Sequence, residues 1–181
     1  GYGRDCVYGF ALLRVKSFAG SGAHFIIGAY NMIHAWPDFK IRLKKEGLES
    51  AQEALSRAVC LVHDVLQMRT TLVFDGKGTQ LDIQRPTGQA SFSWIFTPQG
   101  SCADQWVIAL ALQNPAPQSV WVASEDGTVV RALQPKGVRL LSAQGLMDKV
   151  SHAQTQQQSS LNQLHQKAQQ AGRKKALRGF W

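Results

Sequence analysis

The chain has 181 residues, 44% of them hydrophobic, which suits one domain with a proper core and a modest extension. Its 20 Lys and Arg against 12 Asp and Glu give a formal net charge of +8. That excess favours a polyanionic partner, because each contacted phosphate releases condensed counterions; solubility alone is the competing explanation. Three widely spaced cysteines, Cys6, Cys60 and Cys102, form no CxxC pair, and no apolar run is long enough to span a membrane. The cysteine pattern reads as reduced thiols in a cytoplasmic protein and not as a disulfide scaffold or a zinc site, an expectation taken from cysteine spacing alone.

Residues 1–23 end in Ala19-Gly20-Ser21-Gly22-Ala23 and read as a flexible lead-in. Val7-Tyr8-Gly9-Phe10-Ala11-Leu12-Leu13 has the outline of a signal segment, but Arg14 and Lys16 cut it short. The chain starts at Gly1 and not at Met, which leaves room for residues ahead of it. The run His24-Phe25-Ile26-Ile27 predicts a strand buried on both faces. A long loop with Trp36-Pro37-Asp38 and a basic cluster is expected next, closed by Gly47. Leu48, Ala51, Leu55, Ala58, Val62 and Val65 recur at spacings of three and four and predict an amphipathic helix.

Thr71-Leu72-Val73-Phe74 predicts the second buried strand, stopped by Asp75-Gly76-Lys77-Gly78. Residues 79–92, with Pro86 and Gly88, read as a loop or edge hairpin. Strands are then expected at 93–96, 120–123 and 137–141, and helices at about 103–113, 128–134 and, capped by Ser142, through about Val150. Asn114-Pro115-Ala116-Pro117 breaks the first of these helices. The alternation argues an α/β fold with a mostly parallel sheet and helices on both faces. The tail, 151–181, contains no Asp or Glu and is rich in Gln. Leu161, Leu164, Ala168 and Ala171 make a narrow stripe, so a weakly docked helix ending at Gly172 is expected, followed by a basic arm with an aromatic end.

In open parallel sheets ligands bind beyond the carboxyl ends of the strands. Asp75 directly follows the strand 71–74, Asp126 follows the strand 120–123, and Asp104 opens the helix after the strand 93–96. Three carboxylates from three segments can therefore converge on one edge. Converging carboxylates repel one another unless a cation sits among them, and hard divalent ions such as Mg²⁺ or Mn²⁺ take oxygen ligands of this kind. Singly, each residue has an ordinary reading: Asp75-Gly76 and Asp126-Gly127 are turn dipeptides, and Asp104 complements a helix dipole.

The run from Phe25 through Gly28-Ala29-Tyr30-Asn31-Met32-Ile33-His34 to Pro37 resembles the opening motif of the YacP-like NYN family, part of the wider PIN-like nuclease group. Leu48 to Leu55, Leu72-Val73-Phe74-Asp75-Gly76, Ile95-Phe96-Thr97-Pro98 with Ala103-Asp104, and Val122-Ala123-Ser124-Glu125-Asp126 resemble the family's later marks in the same order. The resemblance covers roughly residues 24–150, the expected domain. It implies a three-layer PIN/NYN-like domain, here with a C-terminal helix. It also implies an acidic site for Mg²⁺ or Mn²⁺ and cleavage of RNA, messenger RNA in association with the ribosome in some members. Carried over, Asp75, Asp104 and Asp126 fall on acidic positions as metal ligands, and Asn31 falls on the motif's Asn. The family pattern usually reads Asp-Gly where this chain has Gly28-Ala29, so the first-strand carboxylate is absent. Gln52 and Gln105 stand where Arg and a second acidic residue are usual.

The expected function is a metal-dependent endoribonuclease; the alternative is an RNA- or ribosome-binding module weakened in catalysis by the loss at Gly28. Lys40, Arg42, Lys44 and Lys45, with Lys77 and Arg85 on loops, are candidate contacts to the RNA backbone, and so are Arg173, Lys174, Lys175 and Arg178 in the tail. A solvated charged loop and a plain tail are the competing readings. His34 and Trp36 could touch the ligand or pack locally, Glu53 reads as a helix-surface residue, and Cys60 and His63 read as structural.

Overall fold

The computed structural model describes residues 22–179. Most of the expected lead-in, with Cys6, and the aromatic end Phe180-Trp181 lie outside the described residues. Six strands, β1 (His24–Gly28), β2 (Arg69–Phe74), β3 (Asp82–Gln84), β4 (Phe92–Phe96), β5 (Val120–Ala123) and β6 (Arg139–Leu141), form one sheet in the order β3-β4-β2-β1-β5-β6. Every neighbouring pair is parallel except β3 with β4. Among the described residues six α-helices accompany it: α1 (Ala29–Ala35), α2 (Pro37–Glu46), α3 (Leu48–Leu66), α4 (Ala103–Gln113), α5 (Gly127–Leu133) and α6 (Ala143–Arg178). The fold is the expected α/β sandwich with a C-terminal helix.

Period-two alternation divides each central strand between two cores. Phe25, Ile27, Leu72 and Phe74 pack under α1, α2, α3 and the start of α6. Ile26, Val73, Ile95 and Val122 pack against α4 and α5. Each fully buried Val, Leu, Ile or Phe contributes about 1.5–3 kcal/mol, so the two layers account for most of the driving force. From β1 the sheet extends in one direction through β2, β4 and β3, the chain forming the edge strand β3 before β4, and the chain then returns to β5 on the other side of β1. The order therefore reverses between β1 and β5, whose carboxyl ends are Gly28 and Ala123.

His24, at the start of β1, is buried with its Nε2 2.8 Å from Thr71 Oγ1. Burial, reinforced by the positive charge of Arg69, lowers its pKa from 6.5 to about 3, so the imidazole is neutral in the folded protein.

Two expectations fail. Residues 29–46 are not a loop but the helices α1 and α2. Ala29, Met32 and Ile33 sit at i, i+3 and i+4 and are buried, while Pro37 opens α2 and Phe39 with Leu43 supplies its inner face. The basic residues on the outer face of α2 concealed so narrow a stripe. The tail is the second case. α6 runs unbroken from Ala143 to Arg178, past both residue 150 and Gly172. A helical glycine costs about 1 kcal/mol, which the flanking Gln, Ala, Lys and Arg tolerate. Ser142 does cap α6, accepting from the Gly145 amide at 3.1 Å. Only Ala143, Leu146, Val150 and Ala153 of α6 are buried. The remainder projects, and at about 1.5 Å per residue Arg173 stands about 30 Å beyond Ala153. Among the described residues no helix is long and apolar enough to cross a membrane.

Candidate functional site

At the carboxyl edge of the sheet, Asp75 is the first residue after β2, Asp104 lies in the first turn of α4, and Asp126 is the N-cap of α5. Backbone geometry sets each one. The Asp75 Oδ1 accepts from the Ala103 amide at 3.1 Å, tying the end of β2 to the start of α4. The Asp126 Oδ1 accepts from the Thr128 and Val129 amides at 2.8 and 3.2 Å. Gly76 allows this edge to close: a Cβ there would lie 2.1 Å from the Thr97 carbonyl oxygen.

Asp104 receives the strain of the arrangement. Its carboxyl is raised above the ordinary range, first by burial, then by the negative charges of Asp126 and Asp75. Hydrogen bonds from Cys102 and Asn31 oppose that rise. Asn31, on α1, donates from Nδ2 to Asp104 Oδ1 at 3.3 Å, and the Cys102 thiol lies 3.8 Å from Oδ2. Four residues from four segments thus meet around Asp104. Their spacing is open: among the described residues, no three ligand atoms of these carboxylates lie within 4.8 Å of one another.

Beside Asp75 opens a cleft of about 590 Å³, lined by Glu46, Glu49, Gln52, Lys77 and Asp82 among others. It is acidic, with Lys77 as its lysine. Tyr30 and Gln52 flank Asp75 in an adjoining recess, and Tyr30 is 52% exposed with its ring 4.2 Å from that of His34. Sequence reasoning assigned Tyr30 no role of its own. Its position immediately before Asn31 was the available signal.

Gly28 has φ −74° and ψ 93°, open to any residue. A Cβ there would meet the Ala123 carbonyl oxygen at 3.6 Å and Ser124 Oγ at 3.8 Å, ordinary contacts. Ser124 Oγ accepts the Asp126 amide at 3.1 Å. A carboxylate at position 28 would therefore stand beside the Asp126 turn.

A profile described as YacP-like NYN domain matches residues 25–179. The chain belongs to the YacP-like NYN family. The match covers the whole of α6. The "Uncharacterized protein YacP" of Bacillus subtilis (strain 168) is 30% identical over 127 residues, 69% of this chain and 73% of that protein. Two crystal structures of Rae1 (YacP) from Bacillus subtilis share the fold at 26% identity. The W164L mutant superposes with a TM-score of 0.65 over 80% of this chain and 84% of its own. The second structure gives 0.64 over 86% and 91%. Family membership supports an RNA-related, nuclease-type domain.

The basic candidates fall in three places. Lys44 and Lys45 occupy the last turn of α2 next in sequence to Glu46, which lines the acidic cleft, with Lys40 exposed one turn earlier. Arg42 is engaged locally, 2.9 Å from Glu46 and 3.3 Å from Ser50. Lys77 lines the cleft, whereas Arg85 does not join it: its charge acts on Arg69, at the opposite end of β2 from Asp75. Arg173, Lys174, Lys175 and Arg178 sit exposed at the far end of α6. Of the remaining candidates, Trp36 packs on Phe39 at 4.5 Å, and Glu53 pairs with Arg57 on the helix surface at 3.8 Å. Glu125 accepts the Ala143 amide at 2.6 Å and so holds the start of α6.

Proposed function

We propose that this chain is a metal-dependent endoribonuclease whose Asp75, Asp104 and Asp126 hold Mg²⁺ or Mn²⁺. The observation that carries the reading is the convergence of three carboxylates on the carboxyl edge of a parallel sheet, felt as the upward displacement of Asp104. The donor set fits such an ion. It is composed of carboxylate and amide oxygens, and its members repel one another without a cation. A bound Mg²⁺ or Mn²⁺ supplies a lowered water pKa and offsets charge on the phosphodiester.

The chain's own residues do the rest. Asn31 fixes the Asp104 carboxylate through Nδ2, and the α5 amides fix Asp126. Lys44 and Lys45 at the end of α2, Lys77 in the cleft and the basic end of α6 draw in the RNA backbone, giving binding that weakens with salt. The substrate towards which the family resemblance points is messenger RNA engaged at the ribosome, with a cytoplasmic location to match. Gly28 favours a second reading, in which the domain binds RNA with catalysis much reduced. Cleavage of structured and ribosome-bound RNA, assayed with Mn²⁺ for the native chain and Gly28→Asp, separates the two. Native cleavage supports the enzyme, and cleavage by Gly28→Asp alone supports the weakened module. Absence of cleavage in both overturns the site.

A further inference from the structure

A second group of ligand atoms lies at the opposite end of the sheet, on the last turns of α3. Cys60 Sγ, a nitrogen of His63 and a carboxylate oxygen of Asp64 all lie within 4.8 Å of one another. His63 Nδ1 is 2.8 Å from Asp64 Oδ1, and Cys60 Sγ is 4.0 Å from Asp64 Oδ2. We propose that Cys60, His63 and Asp64 form a binding site for a borderline-soft divalent ion, Zn²⁺ above all, with a fourth position open to water. This site does not depend on the nuclease reading.

The donor set selects the metal. Thiolate, imidazole and carboxylate are the ordinary ligands of Zn²⁺, whereas Mg²⁺ takes oxygen. Zinc bonds of about 2.0–2.3 Å in a tetrahedron separate ligand atoms by about 3.4 Å, so both measured separations lie within about 0.6 Å of a bound arrangement. Residues at i, i+3 and i+4 share one helix face, and the flexible Cys60 and Asp64 side chains can make that adjustment. The helix C-terminus adds its partial negative charge.

His63 is prepared for the role. It is buried, with its ring edge-on to Phe92 at 5.4 Å, and its Nε2 lies 2.9 Å from Ser91 Oγ. A metal-bound imidazole presents the lone pair of one nitrogen to the ion and donates the N–H of the other to an oxygen. With Nδ1 on the metal, Nε2–H donates to Ser91 Oγ. With Nδ1–H donating to Asp64, the Ser91 hydroxyl donates to Nε2 instead. The same serine serves both tautomers, so metal can enter without leaving a buried nitrogen unpartnered. Binding displaces one proton from the Cys60 thiol.

The test is titration of the full chain with Co²⁺ and Zn²⁺ in excess Mg²⁺. It is read by thiolate-to-cobalt charge-transfer absorption and by calorimetry. The expected result is one equivalent bound with the thiolate band. Cys60→Ser abolishes the band and weakens Zn²⁺ binding by more than about 10-fold, and Ser91→Ala weakens it about 10-fold with unchanged circular dichroism. Cys102→Ser leaves both readouts as in the native chain. A band that survives in Cys60→Ser overturns the site. So does one lost in Cys102→Ser, which would place the thiol beside Asp104, and so does a native chain that takes up no Zn²⁺.

Discussion

Replacing His24 with Gln keeps a hydrogen-bonding group beside Thr71 Oγ1 and removes the titration. Folded His24 stays neutral down to about pH 3, whereas the unfolded imidazole protonates near 6.5. Between those values the unfolded chain holds one more proton than the folded chain at this residue. His24 therefore costs nothing above pH 6.5, and its share of stability is lost as the pH falls towards 3. The slope approaches about 1.4 kcal/mol per pH unit once the unfolded imidazole is protonated, and the loss amounts to about 2 kcal/mol between pH 6.5 and 4.5. Urea unfolding at half-unit steps over that interval measures it. The free energy of the native chain should fall faster than that of His24→Gln, with the gap closing by that amount. Parallel curves for the two proteins would refute the assignment of a buried neutral imidazole.

Asp104→Asn should abolish cleavage while raising the melting temperature at pH 7.5 without divalent ions. The gain should vanish as the pH falls through the carboxylate range, because the raised Asp104 opposes folding only when ionised. The same variant should lose the stabilisation that Mn²⁺ gives the native chain. Gly76→Ala should cost about 1–3 kcal/mol by denaturant titration, since its Cβ collides with the Thr97 carbonyl oxygen. Replacing Arg173, Lys174, Lys175 and Arg178 with Ala should lower RNA affinity and reduce the slope of log K against log salt by up to about 3, with the fold intact by circular dichroism.

The carboxylate cluster was legible because a parallel strand delivers the next residue to one edge. Asp75 follows a buried apolar run directly, Asp126 follows another after Ser124-Glu125, and Asp104 opens the helix after a third. Asn31 was legible only through the family motif, and its bond to Asp104 spans 73 positions of sequence. Tyr30 was passed over because an exposed tyrosine beside a strand end carries no periodic signal. Cys60, His63 and Asp64 were hidden by their helix. The Leu48-to-Val65 stripe already explained that segment, and the partner that makes His63 unusual, Ser91, comes from a loop 28 residues on.

The sequence by itself determined the alternation of buried strands and amphipathic helices, the parallel sheet and the placing of three carboxylates at strand ends. These follow from hydrophobic periodicity, which is local. Whether the basic segment after β1 was helix or loop depended on Met32, Ile33 and Phe39 finding a core to enter. Whether Gly172 ended a helix depended on the balance of small propensities around it. Tertiary packing alone decided that Arg85 lies away from the acidic edge. It also gave Gly28, at the reversal of strand order, room for the carboxylate it lacks. Those outcomes depend on which distant segments meet, and a one-dimensional pattern does not contain that information.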